Sequence, residues 1–502
     1  MFARVLASRG GLLLVLAAGL AMPLAFAPFG WGWIAPLALA VAFAQVAASP
    51  RRRALLGAYL FGLGYAGFGV YWIFISVSRY GGGDVAAAVV TPLFIALFAL
   101  YPLVALALGR RVGAGRPLLT TIVALPAAWL VVEWVRSWLF TGATWLSVGY
   151  TQIDLPPGAL APLLGLYGVG LVVCALAGSL ASLAIRPGAG AAAAVVVTGL
   201  LYAGSGTLAA LDWTAPVGEP LDVAMIQGNV PQDQKWLADQ RVETLRHYAQ
   251  ASRQHYGTPL IVWPEAAVPA FYHRVEDNFL APLAEEAAEQ GSTIVTGVPV
   301  VDPVEDAPFN AVAVLGDSPA FYYKRHLVPF GEYVPFRDWF GAALDFVGAP
   351  MGDFEAGAKP RPLQADGVTV GASICYEVTF GPLIADALPE AEVLLNVSND
   401  AWFGDSLAPY QHLEMARMRA RETGRPLLRA TNTGITAAMD ARGEVLAQAP
   451  MFQRTALATT VQPREGTTPY VRWRDWPVVA LVMIVLAGAW FAARRRGRDI
   501  FH

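Results

Sequence analysis

At 502 residues, 56% of them hydrophobic and only 15% charged, the chain is too long for one ordinary compact domain and too apolar to be wholly water-soluble. A formal net charge of -3, with the arginines in short clusters between apolar runs, excludes the concentrated basic face that polyanion binding needs, so no nucleic-acid partner is expected. The two cysteines, Cys174 in an apolar run and Cys375 in the polar part, exclude a disulfide framework within the soluble part and leave Cys375 as an expected free thiol.

Before residue 211 the acidic residues are Asp84, Glu133 and Asp154, and lysine is absent. This stretch is expected to lie in lipid. Seven apolar runs have the length to cross a hydrocarbon core of roughly 30 Å. They fall at about 11–28, 30–48, 54–76, 85–109, 118–138, 159–185 and 189–210, with an eighth at about 477–493. Arg4 and Arg9 flank the first run in the manner of a signal peptide, but its apolar stretch passes straight into the next, so a retained anchor is expected. GGGD at 81–84 reads as a tight turn, because no phosphate-loop lysine follows it. Glu133 and Arg136, three residues apart in the fifth run, are expected to pair within the bundle, a substrate headgroup contact being the alternative.

Arginine counting sets the expected orientation. Arg51, Arg52, Arg53, Arg110, Arg111, Arg116, Arg186, Arg494, Arg495, Arg496 and Arg498 all fall on one side of such a bundle. The opposite side carries Arg79, with Arg136 near a helix end. Both termini are therefore expected in the cytoplasm and residues 212–475 outside it, in the periplasm of a double-membraned bacterium. Three regions follow: 1–211 with seven helices, 212–475 as the catalytic domain, and 476–502 as the eighth helix with a basic tail.

The outward region reads as α/β. Apolar runs such as LDVAMIQGNV, LIVWPE, STIVTGVPV, NAVAVLG, VTVGASICYE and AEVLLNVSN alternate with helical stretches at 242–255 and 279–290. Runs without polar alternation indicate strands buried on both faces. Near the ends of apolar runs stand Glu265 in IVWPEAAVP, Lys324 in FYYKRHLVPFGEYVP and Cys375 in GASICYEVTF. Together they make a chemical set. A thiol becomes nucleophilic when a base takes its proton, a poorly hydrated carboxylate is such a base, and a lysine can stabilise the oxyanion of a tetrahedral intermediate.

These three motifs, in this order, closely resemble those of the nitrilase superfamily of carbon-nitrogen hydrolases, over about residues 220–460. More narrowly, IQGNVPQDQKW, KRHLVPFGEYVP, ICYE and NVSNDAWFGDS beside an eight-helix membrane part resemble the apolipoprotein N-acyltransferase family over essentially the whole chain. The resemblance implies a multi-pass α-helical membrane domain plus an α/β soluble domain, the latter a nitrilase-like αββα sandwich. It implies transfer of an acyl chain from a phospholipid donor to the amine of a diacylglyceryl lipoprotein acceptor, the last step of bacterial lipoprotein maturation, in the inner membrane. Glu265 would be the base, Lys324 the oxyanion cation and Cys375 the nucleophile. Glu332, Tyr376 and Glu377 would support them, and Trp236, Trp402 and Phe403 would line the substrate site. A monomer without cofactor is expected.

Other signals are weak. The six histidines, at 247, 255, 273, 326, 412 and 502, lack metal-ligand spacing, so no metal is expected, and the Gly-x-Ser-x-Gly elbow of serine hydrolases is absent. The apolar segment 337–354, containing Trp339, Phe340, Leu344, Phe346, Val347, Met351 and Phe354 with glycines at 341, 348 and 352, is expected to be a lid dipping into lipid, a core helix being the alternative. Two other functions stay open: a membrane-tethered amidase using the same three residues, and a transporter whose outward domain only binds.

Overall fold

The computed structural model describes residues 2–113, 116–301, 307–333, 354–359 and 361–498. The expected lid at 337–354 lies outside them, apart from Phe354. The chain divides into two compact units, one of residues 1–71, 88–211 and 473–502 and the other of residues 72–87 and 212–472.

The first unit is helical. By length and composition, five described helices suffice to cross a membrane: Gly83–Gly113, Leu119–Arg136, Pro156–Ile185, Ala189–Ala210 and Trp476–Ala493. A sixth span is made if Arg51–Gly69 and the short helix Ile73–Tyr80, which groups with the second unit, count as one broken span. The first two expected spans are shorter than the sequence suggests. Arg9–Ala21 gives way to a 3-10 turn containing Pro23, and Ile34–Ala48 has only 15 residues. At 1.5 Å per residue that is about 22 Å, less than the hydrocarbon thickness.

Helices in this unit approach closely where side chains are small. A Cβ on Gly19 would lie 2.3 Å from the carbonyl oxygen of Phe61, and one on Gly178 would lie 2.2 Å from that of Thr121. In lipid such contacts replace the hydrophobic drive that water supplies elsewhere. Glu133 and Arg136 are both buried and near enough for their charges to interact, but each hydrogen-bonds to other groups. Glu133 accepts from Trp129 Nε1 at 3.0 Å and from the Val148 amide at 3.0 Å, while Arg136 donates to Ser147 Oγ at 3.0 Å.

The second unit contains two six-stranded sheets. One runs, edge to edge, Thr455–Val461, Leu221–Gln227, Leu260–Val262, Thr293–Val301, Pro308–Val314 and Ala320–Tyr323. The other runs Val445–Gln448, Ala437–Met439, Leu427–Thr431, Val393–Ser398, Val368–Ile374 and Leu363–Ala365. In each, the three inner parallel strands are flanked by antiparallel ones.

Successive side chains on a strand face opposite ways, so a continuously apolar strand feeds two cores. Val223 and Met225 join Val262, Ile374, Leu395 and Val397 in the core shared by both sheets. Ala224 and Ile226, one residue out of phase, pack with Tyr248, Leu283 and Ala287 of the helical layer over the first sheet. Leu413, Ala416 and Ala420 of the helix Ala408–Thr423 cover Leu394 and Leu427 of the second. The layers are therefore helix, sheet, sheet, helix. Parallel strands present their C-terminal ends at a common edge, and Glu265, Cys375 and Asn399 each follow such an end closely.

Candidate active site

Glu265 is placed by backbone before chemistry. Trp263, fully buried after the strand Leu260–Val262, stacks on Tyr248 with centroids 5.0 Å apart and donates from Nε1 to Ser252 Oγ at 2.9 Å. The chain then turns through Ala266 at φ 46°. Gly297 backs this turn: a Cβ there would meet Pro264 O at 2.5 Å and Glu265 Cα at 2.6 Å. Buried Lys235 donates to the Glu265 carbonyl oxygen at 3.1 Å, and burial lowers its pKa to about 8.

The Glu265 carboxylate is held at both oxygens. Oε1 accepts from Asn310 Nδ2 at 2.8 Å and lies 3.5 Å from Lys324 Nζ, while Oε2 accepts from the Asn399 amide at 2.8 Å. Asn310 Nδ2 also donates to Glu332 Oε1 at 2.9 Å. Lys324 Nζ, 1% exposed, lies 2.8 Å from Glu332 Oε2 and 2.9 Å from its Oε1. Burial opposes charge on Lys324, but the adjoining Glu332 and Glu265 carboxylates hold its pKa above the ordinary lysine value. It is a fixed cation between two carboxylates. The chain on either side of the undescribed segment returns here, since Phe354 N–H donates to Glu332 O at 3.1 Å and Gly357 N–H to Lys324 O at 2.8 Å.

Cys375 ends the strand Val368–Ile374 and opens a 3-10 turn at φ 51°, a left-handed conformation that costs a non-glycine residue on the order of 1 kcal/mol. Glu377 secures the turn. Its Oε2 accepts from the Ile374 amide at 2.7 Å and Tyr322 Oη at 2.8 Å, and its Oε1 from the amides of Arg325 at 2.7 Å and His326 at 3.0 Å. One buried carboxylate thus ties the cysteine turn to the segment after Lys324. Glu377→Gln, by turning an NH2 group toward two of those donors, is expected to lower stability by about 2–4 kcal/mol and to alter the rate at which iodoacetamide alkylates Cys375. Thermal unfolding and thiol alkylation check this; unchanged values would show that the turn does not need the carboxylate.

Burial and the charge of Glu265 push the Cys375 thiol up to about 12, against the opposing charge of Lys324 and a hydrogen bond with Ser398. The resting thiol is protonated at neutral pH. Iodoacetamide alkylation should therefore rise about tenfold per pH unit from 7 to 10 without levelling, where an ordinary thiol flattens near its pKa of roughly 8.5. A plateau near pH 8 would contradict this.

Of the remaining sequence candidates, Tyr376 packs its ring on Phe380 at 4.9 Å, and Trp236 is 48% exposed. Trp402 and Phe403 are gripped by the segment 72–87. Tyr80 and Trp72 pack edge-on against Trp402 and Phe403, at 5.1 and 4.9 Å, and Ser76 Oγ donates to Trp402 O at 2.7 Å. Sequence reasoning missed Asn310, Asn399 and a buried network of Asn396, Ser398, Asp400, His412 and Arg429. A signal existed for some of them: Asn310 in PFNAVAV and Arg429 in LLRAT are polar residues inside otherwise apolar strands.

Two family models match the chain: "Carbon-nitrogen hydrolase" over residues 222–470 and "Apolipoprotein N-acyltransferase N-terminal domain" over residues 18–179. A relative named "Apolipoprotein N-acyltransferase" from Methylococcus capsulatus is 48% identical over 488 residues, covering 97% of this chain and 96% of that one. The chain belongs to the apolipoprotein N-acyltransferase family. Another member, from Photobacterium profundum, is 38% identical over 504 residues, covering 97% of this chain and 96% of its own. Among solved structures, the chain is similar to a CN-hydrolase superfamily protein from Xanthomonas campestris (18% identity, TM-score 0.36), covering 49% of this chain and 91% of that one. Membership of the apolipoprotein N-acyltransferase family accounts for apolar helices and a carbon-nitrogen hydrolase domain occurring in one chain.

Proposed function

We propose that the chain transfers a fatty acyl group from a phospholipid to the α-amino group of an N-terminal diacylglyceryl-cysteine, through a thioester on Cys375. The observation that carries the reading is a buried carboxylate–lysine–carboxylate cluster, Glu265, Lys324 and Glu332, acting electrostatically on a thiol held in a strained turn. In this reading the catalytic residues are Glu265, Lys324 and Cys375; Glu332, Asn310 and Glu377 position them. Residues 212–475 face the periplasm, the termini face the cytoplasm, and the enzyme works as a monomer in the inner membrane.

Because the resting thiol is protonated, activation accompanies substrate binding. Glu265 takes the Sγ proton as a bond forms between sulfur and the ester carbonyl carbon. The carbonyl electron pair moves onto oxygen, where Lys324 and the Tyr376 amide stabilise it. Collapse breaks the ester C–O bond, and Glu265 returns its proton to the departing lysophospholipid hydroxyl. In the second half, Glu265 takes a proton from the acceptor amine as its nitrogen attacks the thioester. The C–S bond then breaks, and that proton returns to sulfur. The product is an amide, and the enzyme is restored.

The test uses purified full-length protein in vesicles of phospholipid labelled in its acyl chains, with a synthetic N-terminal diacylglyceryl-cysteine peptide added. Label is expected on the peptide amine and to remain on the enzyme without peptide. Release as free fatty acid in the presence of peptide, together with cleavage of a small amide, would replace this reading by a membrane-tethered amidase.

A further inference from the structure

Beneath Cys375 lies a buried polar array that the steps above do not use. Asn396, Ser398, Asp400, His412 and Arg429 are all at most 1% exposed. The Cys375 carbonyl oxygen contacts His412 Nε2 at 3.2 Å and Asn396 Nδ2 at 3.3 Å. A carbonyl only accepts, so Nε2 must carry a proton there. Burial, reinforced by the charge of Arg429, lowers the imidazole pKa and favours the neutral ring. Nδ1 faces both a donor, Arg429 Nη2 at 2.9 Å, and an acceptor, Asp400 Oδ1 at 3.1 Å, and the proton on Nε2 is present in the neutral Nε2–H ring and in the imidazolium alike. The Asp400 carboxylate is also served by other donors, Ser398 Oγ on Oδ1 and Arg429 Nη2 on Oδ2, each at 2.8 Å. Arg429 Nη1 donates to Asn396 Oδ1, which turns the amide NH2 of Asn396 toward the Cys375 carbonyl. The edge of Phe403, 6.0 Å away between centroids, closes the other side of the imidazole.

We propose that His412 is a positioning residue: by donating from Nε2 to the Cys375 carbonyl, it fixes the Cys375–Tyr376 peptide so that the Tyr376 amide serves the oxyanion. The two ends of a trans peptide are rigidly coupled, with N–H pointing opposite to C=O. A carbonyl fastened into the buried array therefore turns the amide away from it, toward the side from which an ester reaches sulfur. Cys375, at φ 51°, stands where the strand Val368–Ile374 gives way to the short 3-10 turn Cys375–Thr379. His412 and Asn396 fasten the peptide plane at this junction from the buried side. The inference rests on Cys375 being the acyl-accepting nucleophile.

Two reactions of the same thiol separate positioning from general damage. Acylation by phospholipid passes through an oxyanion, whereas alkylation by iodoacetamide does not. In full-length protein, His412→Leu is expected to slow Cys375 acylation by about tenfold to hundredfold, the scale of a displaced oxyanion donor, and to leave alkylation within about twofold. His412→Gln, whose amide can donate to the same carbonyl, should recover most of the loss. Acylation unchanged in His412→Leu, or acylation and alkylation falling together, would overturn the proposal. Should the leucine variant not fold, imidazole 15N shifts of the unaltered protein at pH 7 decide: a ring protonated at Nε2, whether neutral or charged, is expected, and a proton on Nδ1 alone would overturn it. If the unaltered protein itself takes no acyl group while its thiol alkylates, it is the reading of Cys375 that fails.

Discussion

Cys375→Ala is expected to leave a folded, membrane-inserted protein in which acyl transfer falls by on the order of 10⁵-fold or more. The change removes only a sulfur atom from a buried position, and alanine adopts φ 51° no less readily than cysteine. Unfolding should therefore shift by no more than about 1 kcal/mol. Chemistry has no comparable substitute. Cys174 is the other cysteine, buried in the helix Ala161–Ile185, and the nearby Ser398 hydroxyl is engaged by Asp400. Phospholipid turnover on the variant, beside its melting temperature, checks both halves; turnover within tenfold of normal would remove Cys375 from the reaction.

Lys324→Met should damage stability and rate together, for one electrostatic reason. Glu265 and Glu332 share Lys324 as their ion-pair partner, at 3.5 and 2.8 Å, in a site almost closed to water. Removing one partner of a buried pair typically costs about 3–5 kcal/mol, because the remaining charge keeps its desolvation penalty. Here two carboxylates are left facing each other across Asn310. Taking up a proton relieves their repulsion and binds more tightly to the folded state than to the unfolded chain. The stability deficit should therefore shrink as pH falls from 8 toward 5. With Lys324 as the proposed oxyanion cation, its loss should also lower the acylation rate by about 10²- to 10³-fold. A deficit that grows as pH falls, or a rate loss confined to phospholipid binding, would contradict this arrangement.

The sequence made the layers readable because buried parallel strands are apolar on both faces, as in LDVAMIQ and VLLNVS. It overstated the first two membrane helices, because an apolar run does not reveal that Pro23 and the turn at 30–33 interrupt it. Glu265, Lys324 and Cys375 stood out as polar residues in characteristic motifs near strand ends. Glu332 and Glu377 are marked as supports by the resemblance of their motifs, but Asn310 and the buried array are not. His412 and Arg429 lie 37 and 54 positions beyond Cys375, and their relation to it exists only once the helix Ala408–Thr423 packs on the second sheet. Glu377 was visible in ICYE, but its four donors come from two separate segments, 322–326 and the end of the strand before Cys375. A carboxylate with four donors cannot be told from an ordinary solvated one by composition.

The segment 72–87 raises a related point about assembly. It lies between two apolar helices in the chain yet groups with the α/β unit, gripping Trp402 and Phe403, two and three residues after Asp400. Contacts of this kind link a loop of high sequence separation to the array under Cys375. They form late in sequence terms, only after residues 393–403 have been synthesised.

In the proposed reaction Cys375 carries a fatty acyl thioester. Intact mass of the purified protein after exposure to phospholipid, without acceptor, tests it most directly. One acyl increment per chain is expected, located on the Cys375 peptide, removed by neutral hydroxylamine and absent from Cys375→Ala. No increment in active enzyme, or one that survives hydroxylamine or persists in Cys375→Ala, would contradict the account.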